Sequence, residues 1–176
     1  MKRFLGLLIS ALLFYSCNDG ELNLKNFNFD TTAPIVDCDV NNGLFFKIST
    51  NEALVLQTPI SSFVNEVTPV DQPRKLIINS TNRVIYRAFN DNVPSTYFCS
   101  TLPPSSPVVT DERIASEGID GVSGLIEITT TQIINPTTQA VTGYNHFVVF
   151  KNITFANSTN SVIYEEYIFG NYTTAL

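Results

Sequence analysis

Tryptophan is absent from the 176 residues, histidine and methionine occur once each, and charged residues make up only 15%. Without Trp the chain lacks the broad indole face that stacks best on a sugar ring. Basic residues are few, 10 Lys and Arg against 16 Asp and Glu, for a formal charge of −6. Such an acidic balance argues against nucleic acid and against anionic headgroups, because either would be repelled. No apolar run reaches the roughly 20 residues that a membrane-spanning helix needs. The longest, Phe4 to Tyr15, is broken by Gly6 and Ser10.

That run follows Lys2 and Arg3, so the chain opens as a secretory signal does, with a positive start and a short apolar core. Phe14 and Tyr15 leave no pair of small residues for an ordinary signal peptidase, whereas Cys17, preceded by small Ser16, offers another exit. Phe14-Tyr15-Ser16-Cys17 resembles a bacterial lipobox, in which the Cys thiol is acylated, the leader removed and the Cys left as the first mature residue. It is similar to the looser lipoboxes of Bacteroidota lipoproteins, with Phe14 where Leu is commoner and Tyr15 where a smaller residue is usual. The resemblance implies a signal peptide over residues 1–16 and a membrane anchor through lipid on Cys17. It also implies a location in the cell envelope at the outer membrane, on its periplasmic or cell-surface face. Two or more acyl chains hold stably where one is marginal, at about 0.8 kcal/mol per buried CH₂. The polar run Asn18-Asp19-Gly20-Glu21 cannot bury itself, so residues 17–31 are expected to form the lipidated Cys and its tether. The folded domain is expected over residues 32–176. Loss of Lys2 and Arg3 with the leader makes the remainder more acidic still, which leaves the lipid to hold it at a membrane.

With Cys17 assigned to the lipid by that resemblance, Cys38 and Cys99 remain as a pair in an oxidising compartment. A bridge closing about 60 residues is worth roughly 4 kcal/mol in the chain-entropy account; the alternative is two buried free thiols. No cysteine is then spare for zinc, which takes three or four His or Cys ligands, and no metal or cofactor is expected.

The rest of the chain is rich in Asn and Thr and runs in short alternating segments between turns. Pro34 to Val40 and Leu44 to Thr50 flank Asn41-Asn42-Gly43, a strong hairpin signal. Ala53 to Gln57 continues as a strand. Ser61 to Val67 fits either a strand or a short helix, and the helix is preferred because Phe63, Val64 and Val67 share one face of it. Lys75 to Ile78 and Arg83 to Phe89 flank Asn79-Ser80-Thr81-Asn82 as an expected hairpin. Asn90 to Val108 carries Pro94, Pro103, Pro104 and Pro107, so it reads as a surface connection around Cys99. Thr110 to Glu117 and Leu125 to Ile133 flank a Gly-containing turn. Val141 to Phe155 is the strongest strand, apolar on both faces from Phe147 to Phe150 as a doubly covered strand would be. Val162 to Phe169 closes the fold. Asn157-Ser158-Thr159-Asn160-Ser161-Val162-Ile163-Tyr164 repeats residues 79–86 with one change. Convergence of two hairpins on the same turn chemistry accounts for the echo; the alternative is a duplication giving two similar halves, residues 32–92 and 108–176.

Chemistry-bearing patterns are thin. His146 has no Ser, Cys or carboxylate beside it in a nucleophile pattern, and reads as a histidine hydrogen-bonded at a strand end. Asp37-Cys38-Asp39-Val40-Asn41-Asn42-Gly43 alternates oxygen donors, but its Gly is one residue late for an EF-hand loop and Ile48 stands where a Glu is needed. Glu165-Glu166, Asp111-Glu112 and Glu127 suggest a solvated edge, since adjacent acids on a strand face opposite ways and cannot form a glycosidase pair. Tyr86, Phe89 and Tyr97 cluster near the proline-rich connection and are the candidate ligand-binding residues.

The expected architecture is all-β, a single antiparallel β-sandwich-like domain of two sheets behind the leader and tether. No catalytic residues and no enzymatic activity are expected. The expected role is a non-catalytic interaction module for an unknown protein or envelope component. A glycan- or nutrient-binding surface lipoprotein is the alternative, marked by an exposed platform at Tyr86, Phe89 or Tyr97. A hydrolase is third, and would need two carboxylates converging with His146.

Overall fold

The computed structural model describes residues 27–30, 32–38, 43–102, 104–157 and 160–176. Among the described residues nine strands carry the fold: β1 (Val36–Asp37), β2 (Leu44–Ser49), β3 (Glu52–Gln57), β4 (Arg74–Ile77), β5 (Arg83–Phe89), β6 (Val109–Ala115), β7 (Leu125–Ile134), β8 (Val141–Ala156) and β9 (Ser161–Ala175). All pairings are antiparallel. The strands form one sheet in the order β1-β2-β3-β5-β6-β8-β7-β4, with β9 on β8 as well.

The long strand β8 is where the sheet divides. Along one edge it takes β7, from Val141 to Lys151, and then β6, at Phe155 and Ala156. Its other edge takes β9 from Gly143 to Ala156. The two limbs fold over one another, so that Phe45, Leu54, Leu56 and Tyr86 from β2, β3 and β5 share a core with Ile126, Ile128, Phe150 and Phe169 from β7, β8 and β9. Just before β1, the Ile35 N–H donates to the Asn171 carbonyl of β9 at 2.9 Å, drawing the ends of the curl together. The domain is therefore all-β and sandwich-like, built from one continuous folded sheet where two sheets were expected.

Cover on both faces explains why β2 and β3 carry apolar residues at successive positions, Leu44 to Phe46 and Ala53 to Leu56. Phe45, Leu54 and Leu56 face the main core, while Phe46, Ala53 and Val55 face a second cluster with Ile85, Phe89 and Val93. The proline-rich connection covers that second face with a one-turn helix, α1 (Thr96–Cys99). Cys99 at its end bridges to Cys38, with Cα atoms 5.0 Å apart and a sequence separation of 61. Since β5 and β6 on either side of this connection pair directly, the sheet runs past it without a break.

Three expectations are corrected. Phe27 and Phe29, placed in the tether by sequence, are buried in the main core. Phe27 lies flat on Tyr86, ring centroids 4.4 Å apart, and the N–H groups of Phe27 and Phe29 each donate at 3.1 Å to a tyrosine hydroxyl, Tyr164 and Tyr167. The core thus begins by Phe27, ahead of Thr32. The helix expected over Ser61 to Val67 is reduced to a single 3-10 turn, Ile60–Ser62, because Phe63 turns inward while β-branched Val64 and Val67 stay largely exposed. The Asn79-Ser80-Thr81-Asn82 turn does form, its Asn79 Oδ1 accepting from the N–H groups of Thr81 and Asn82. The strands it joins do not pair with each other: β4 goes to β7, and β5 lies between β3 and β6. At the echo, Asn157 Oδ1 accepts from the Asn160 N–H in the same manner, but there β8 and β9 form a continuous hairpin. Shared turn chemistry serves two different connections; Ser158 and Thr159 lie outside the described residues.

Candidate functional site

The aromatic platform expected at Tyr86, Phe89 and Tyr97 does not form. Tyr86 is fully buried, opposite Leu54 and Arg113 in the ladder, and its hydroxyl donates to Glu52 Oε1 at 2.8 Å. Phe89, 2% exposed, belongs to the second cluster. Tyr97 is half-buried and rests edge-on against Phe89 at 5.0 Å. The hydrophobic gain from burying rings of this size outweighs any use of them as an open surface. Phe98 packs on Phe46 at 4.8 Å, which brings α1 down onto the sheet where Cys38 can reach Cys99.

His146 sits inside β8, opposite Thr130 of β7 and Tyr172 of β9, and not at a strand end. It is fully buried. Its Nδ1 lies 2.9 Å from Thr130 Oγ1 and its Nε2 3.1 Å from Thr174 Oγ1. The outer partners fix the direction of the chain. Arg74 Nη1 donates to Thr130 Oγ1 at 2.8 Å, and Thr174 Oγ1 donates to Asn65 Oδ1 at 2.5 Å. Thr130 therefore gives its proton to Nδ1, and an Nε2–H donates to Thr174, so the neutral Nε2–H tautomer satisfies every member. Burial, with the Arg74 guanidinium adding to it, pushes the imidazole down to about 4. Thr68 adds a further pair of bonds to Thr130: its N–H donates to the Thr130 carbonyl, and its Oγ1 accepts from the Thr130 N–H, both at 3.1 Å. Arg74 also donates to the Glu66 carbonyl. The segment between β3 and β4 is thereby stitched to the β7, β8 and β9 surface. Both ring nitrogens are committed to threonines, so His146 has no free nitrogen to serve as a general base here.

A cavity of about 340 Å³ lies beside β2, bordered by Phe29, Asp30, Ala33, Pro34 and Val36. Its walls are mainly apolar, from Phe29, Pro34, Val36, Phe46 and Ile48, and they include Asp30 and Lys47. Lys47 alternates with Phe45 on the core-facing side of β2, is 4% exposed, and donates from Nζ to the Asp30 carbonyl at 2.6 Å. Burial lowers its pKa, opposed in part by the Asp30 charge. Asp30 Oδ1 accepts from both the N–H and the hydroxyl of Thr32, at 2.8 and 2.7 Å, which holds its carboxyl below the usual range. Sequence reasoning passed over Lys47, although a single charge inside Phe45-Phe46-Lys47-Ile48 was the available signal. The threonines and Asn65 around His146 gave none, since they come from separate segments.

The acidic residues are spread among basic partners. Asp111 meets Arg113 at 3.0 Å, Glu112 meets Arg87 at 2.6 Å, Glu127 meets Lys75 at 3.2 Å, and Glu166 meets Lys151. Among the described residues no three His, Cys, Asp or Glu converge on a metal position. Asp37 accepts from the Tyr172 hydroxyl at 3.0 Å, while Asp39 to Asn42 lie outside the described residues. The leader, Cys17 and most of the tether lie outside them too. No described helix is long and apolar enough to cross a membrane. No protein-family model matches the chain, and no curated protein or solved structure shows significant similarity to it.

Proposed function

We propose that the chain is an exported protein anchored at the outer membrane through lipid on Cys17, and that its β domain is a non-catalytic interaction module for a protein or envelope component. The observation that carries this reading is the Cys38–Cys99 bridge. A structural disulfide fits an oxidising compartment, and it uses two of the three cysteines, leaving Cys17 as the odd one at the position where the leader resembles a lipobox. The commitment of His146 to Thr130 and Thr174 supports a binding role over a hydrolytic one. The glycan-platform alternative loses its footing with Tyr86 and Phe89 buried. Fractionation of cells carrying the wild type and Cys17→Ala tests the anchor. Wild-type protein is expected in the membrane fraction with an acylated mature N-terminus by mass, and Cys17→Ala in the soluble fraction. A Cys17→Ala protein that stays with the membranes refutes it.

A further inference from the structure

We propose that the cavity beside β2 binds a small monocarboxylate with a compact apolar body, seating its carboxylate on the Lys47 ammonium. This deepens the binding-module reading and rests on it for the idea that the domain takes a ligand, but not on the lipid anchor. The argument starts from a charge in an expensive place. Lys47 is 96% buried, since only 4% of it is exposed, and its ammonium has three donors. One goes to the Asp30 carbonyl, and among the described residues no other acceptor takes the remaining two. A neutral carbonyl offsets little of the desolvation of a cation, which calls for an anion with good geometry. The carboxylate whose charge acts on Lys47, that of Asp30, is solvent-exposed, and its Oδ1 is occupied by Thr32.

The cavity supplies the place for such an anion. Lys47 and Asp30 share its wall with Phe29, Pro34, Val36 and Phe46. Its volume, about 340 Å³, is at the small end of ligand sites, which favours a compact molecule over a polymer. A lone ammonium acts as a point charge without the fork that an Arg offers to phosphate, so one carboxylate matches it. The acidic chain, at −6, repels polyanions at range, and a monoanion with an apolar body suffers least from that field.

Isothermal titration of the full chain, purified from its own membranes into nanodiscs, tests this with 4-methylpentanoate against its uncharged isostere 4-methylpentanamide. Saturable binding of the acid is expected, with the amide weaker by about tenfold or more, the scale of one charge-assisted bond. Lys47→Met is expected to abolish the preference for the acid. Val36→Trp, which fills the cavity from a partly exposed position, is expected to abolish binding with Lys47 intact. No binding of the acid, equal affinity for the amide, or a Lys47→Met protein that still prefers the acid overturns the proposal. If Lys47→Met does not fold, the amide comparison and Val36→Trp decide. Recovery of the wild type in the soluble fraction would sink the anchor reading alone, and the same titration then runs on that fraction.

Discussion

Acidification from pH 6.5 to 4 sets the unfolded chain and the folded chain at odds over one proton, that of His146. Unfolded, the imidazole takes it up near 6.5; folded, it resists until about 4. Across that window the unfolded state binds more protons, so stability rises with pH and is lost as pH falls. At about 1.4 kcal/mol per pH unit of difference, the full effect is about 3 kcal/mol, a large part of the margin of a domain this size. Among the described residues, the charged groups bonded to the ring's neighbours are the Arg74 guanidinium, through Thr130, and the Asp37 carboxylate, through Tyr172, which stacks 6.2 Å from the imidazole. Protonation would add a cation beside Arg74 and force Nδ1 to donate to the Thr130 hydroxyl, which in the neutral state donates to Nδ1 and accepts from Arg74. Urea unfolding at pH 7, 5.5 and 4 measures the loss, and the same series on His146→Gln removes the titrating group while the surrounding carboxylates remain. The wild type is expected to lose about 3 kcal/mol more than the variant between pH 6.5 and 4. Because His146 is the only histidine, proton NMR follows its C2–H without assignment. A midpoint near 6.5 in the folded protein, or equal pH slopes for the two proteins, refutes the account.

Phe27→Ala separates a strap that belongs to the core from a tether that does not: the core reading expects a loss of about 3–5 kcal/mol in urea unfolding, the cost of removing a buried Phe, and a loss below 0.5 kcal/mol, the ordinary surface value, contradicts it. Alkaline titration by absorbance at 295 nm, undisturbed by Trp, is expected to show Tyr167 and Tyr172 ionising late. Burial holds both up at about 12. Their folded values lie above the unfolded value of 10, so the stability they contribute is present below pH 10 and is lost as pH rises from 10 to 12; a single titration near 10 that includes Tyr167 and Tyr172 in folded protein disproves it.

What the sequence made legible was local. Period-two alternation and Asn/Gly turns placed β2, β3, β5 and β8 within a residue or two, and with Cys17 assigned to lipid by the lipobox resemblance, Cys38 and Cys99 were the expected pair. Partner choice was not legible. Asn79-Ser80-Thr81-Asn82 encodes a turn, but whether the strands leaving it pair is settled by distant groups. Here the Ile78 N–H donates to the Gly124 carbonyl and the Gly118 N–H to the Ile78 carbonyl, so β4 is drawn to β7. The alternation of Phe27 and Phe29 was visible, yet their burial depends on Tyr86 and Tyr167, more than fifty residues away in the chain, waiting with a ring face and a hydroxyl. Tyr86 and Phe89 misled for the same reason. Aromatic residues beside a proline-rich connection suggest an open platform, and only the fold of that connection over β2, β3 and β5 shows that the apolar face was already taken.

The early start of the core changes what an anchor on Cys17 would mean. If the core begins at Phe27, only about ten residues separate it from Cys17, and at 3.3–3.6 Å per residue the link spans at most ~35 Å whatever its path. On the anchored reading the domain is held close to the lipid surface, with little freedom to sample partners at a distance. The strap that would bear this link also borders the cavity, through Phe29 and Asp30. Phe27 is stacked on Tyr86, Phe29 hangs from Tyr167, and the next residue, Asp30, offers its carbonyl to Lys47. On the anchored reading, a pull on Cys17 would act first on the segment whose Phe29 and Asp30 line the cavity. Seating a carboxylate on Lys47 would in turn stiffen the strap against β2. If both proposals hold, membrane attachment and ligand binding meet at Phe29 and Asp30, which line the cavity.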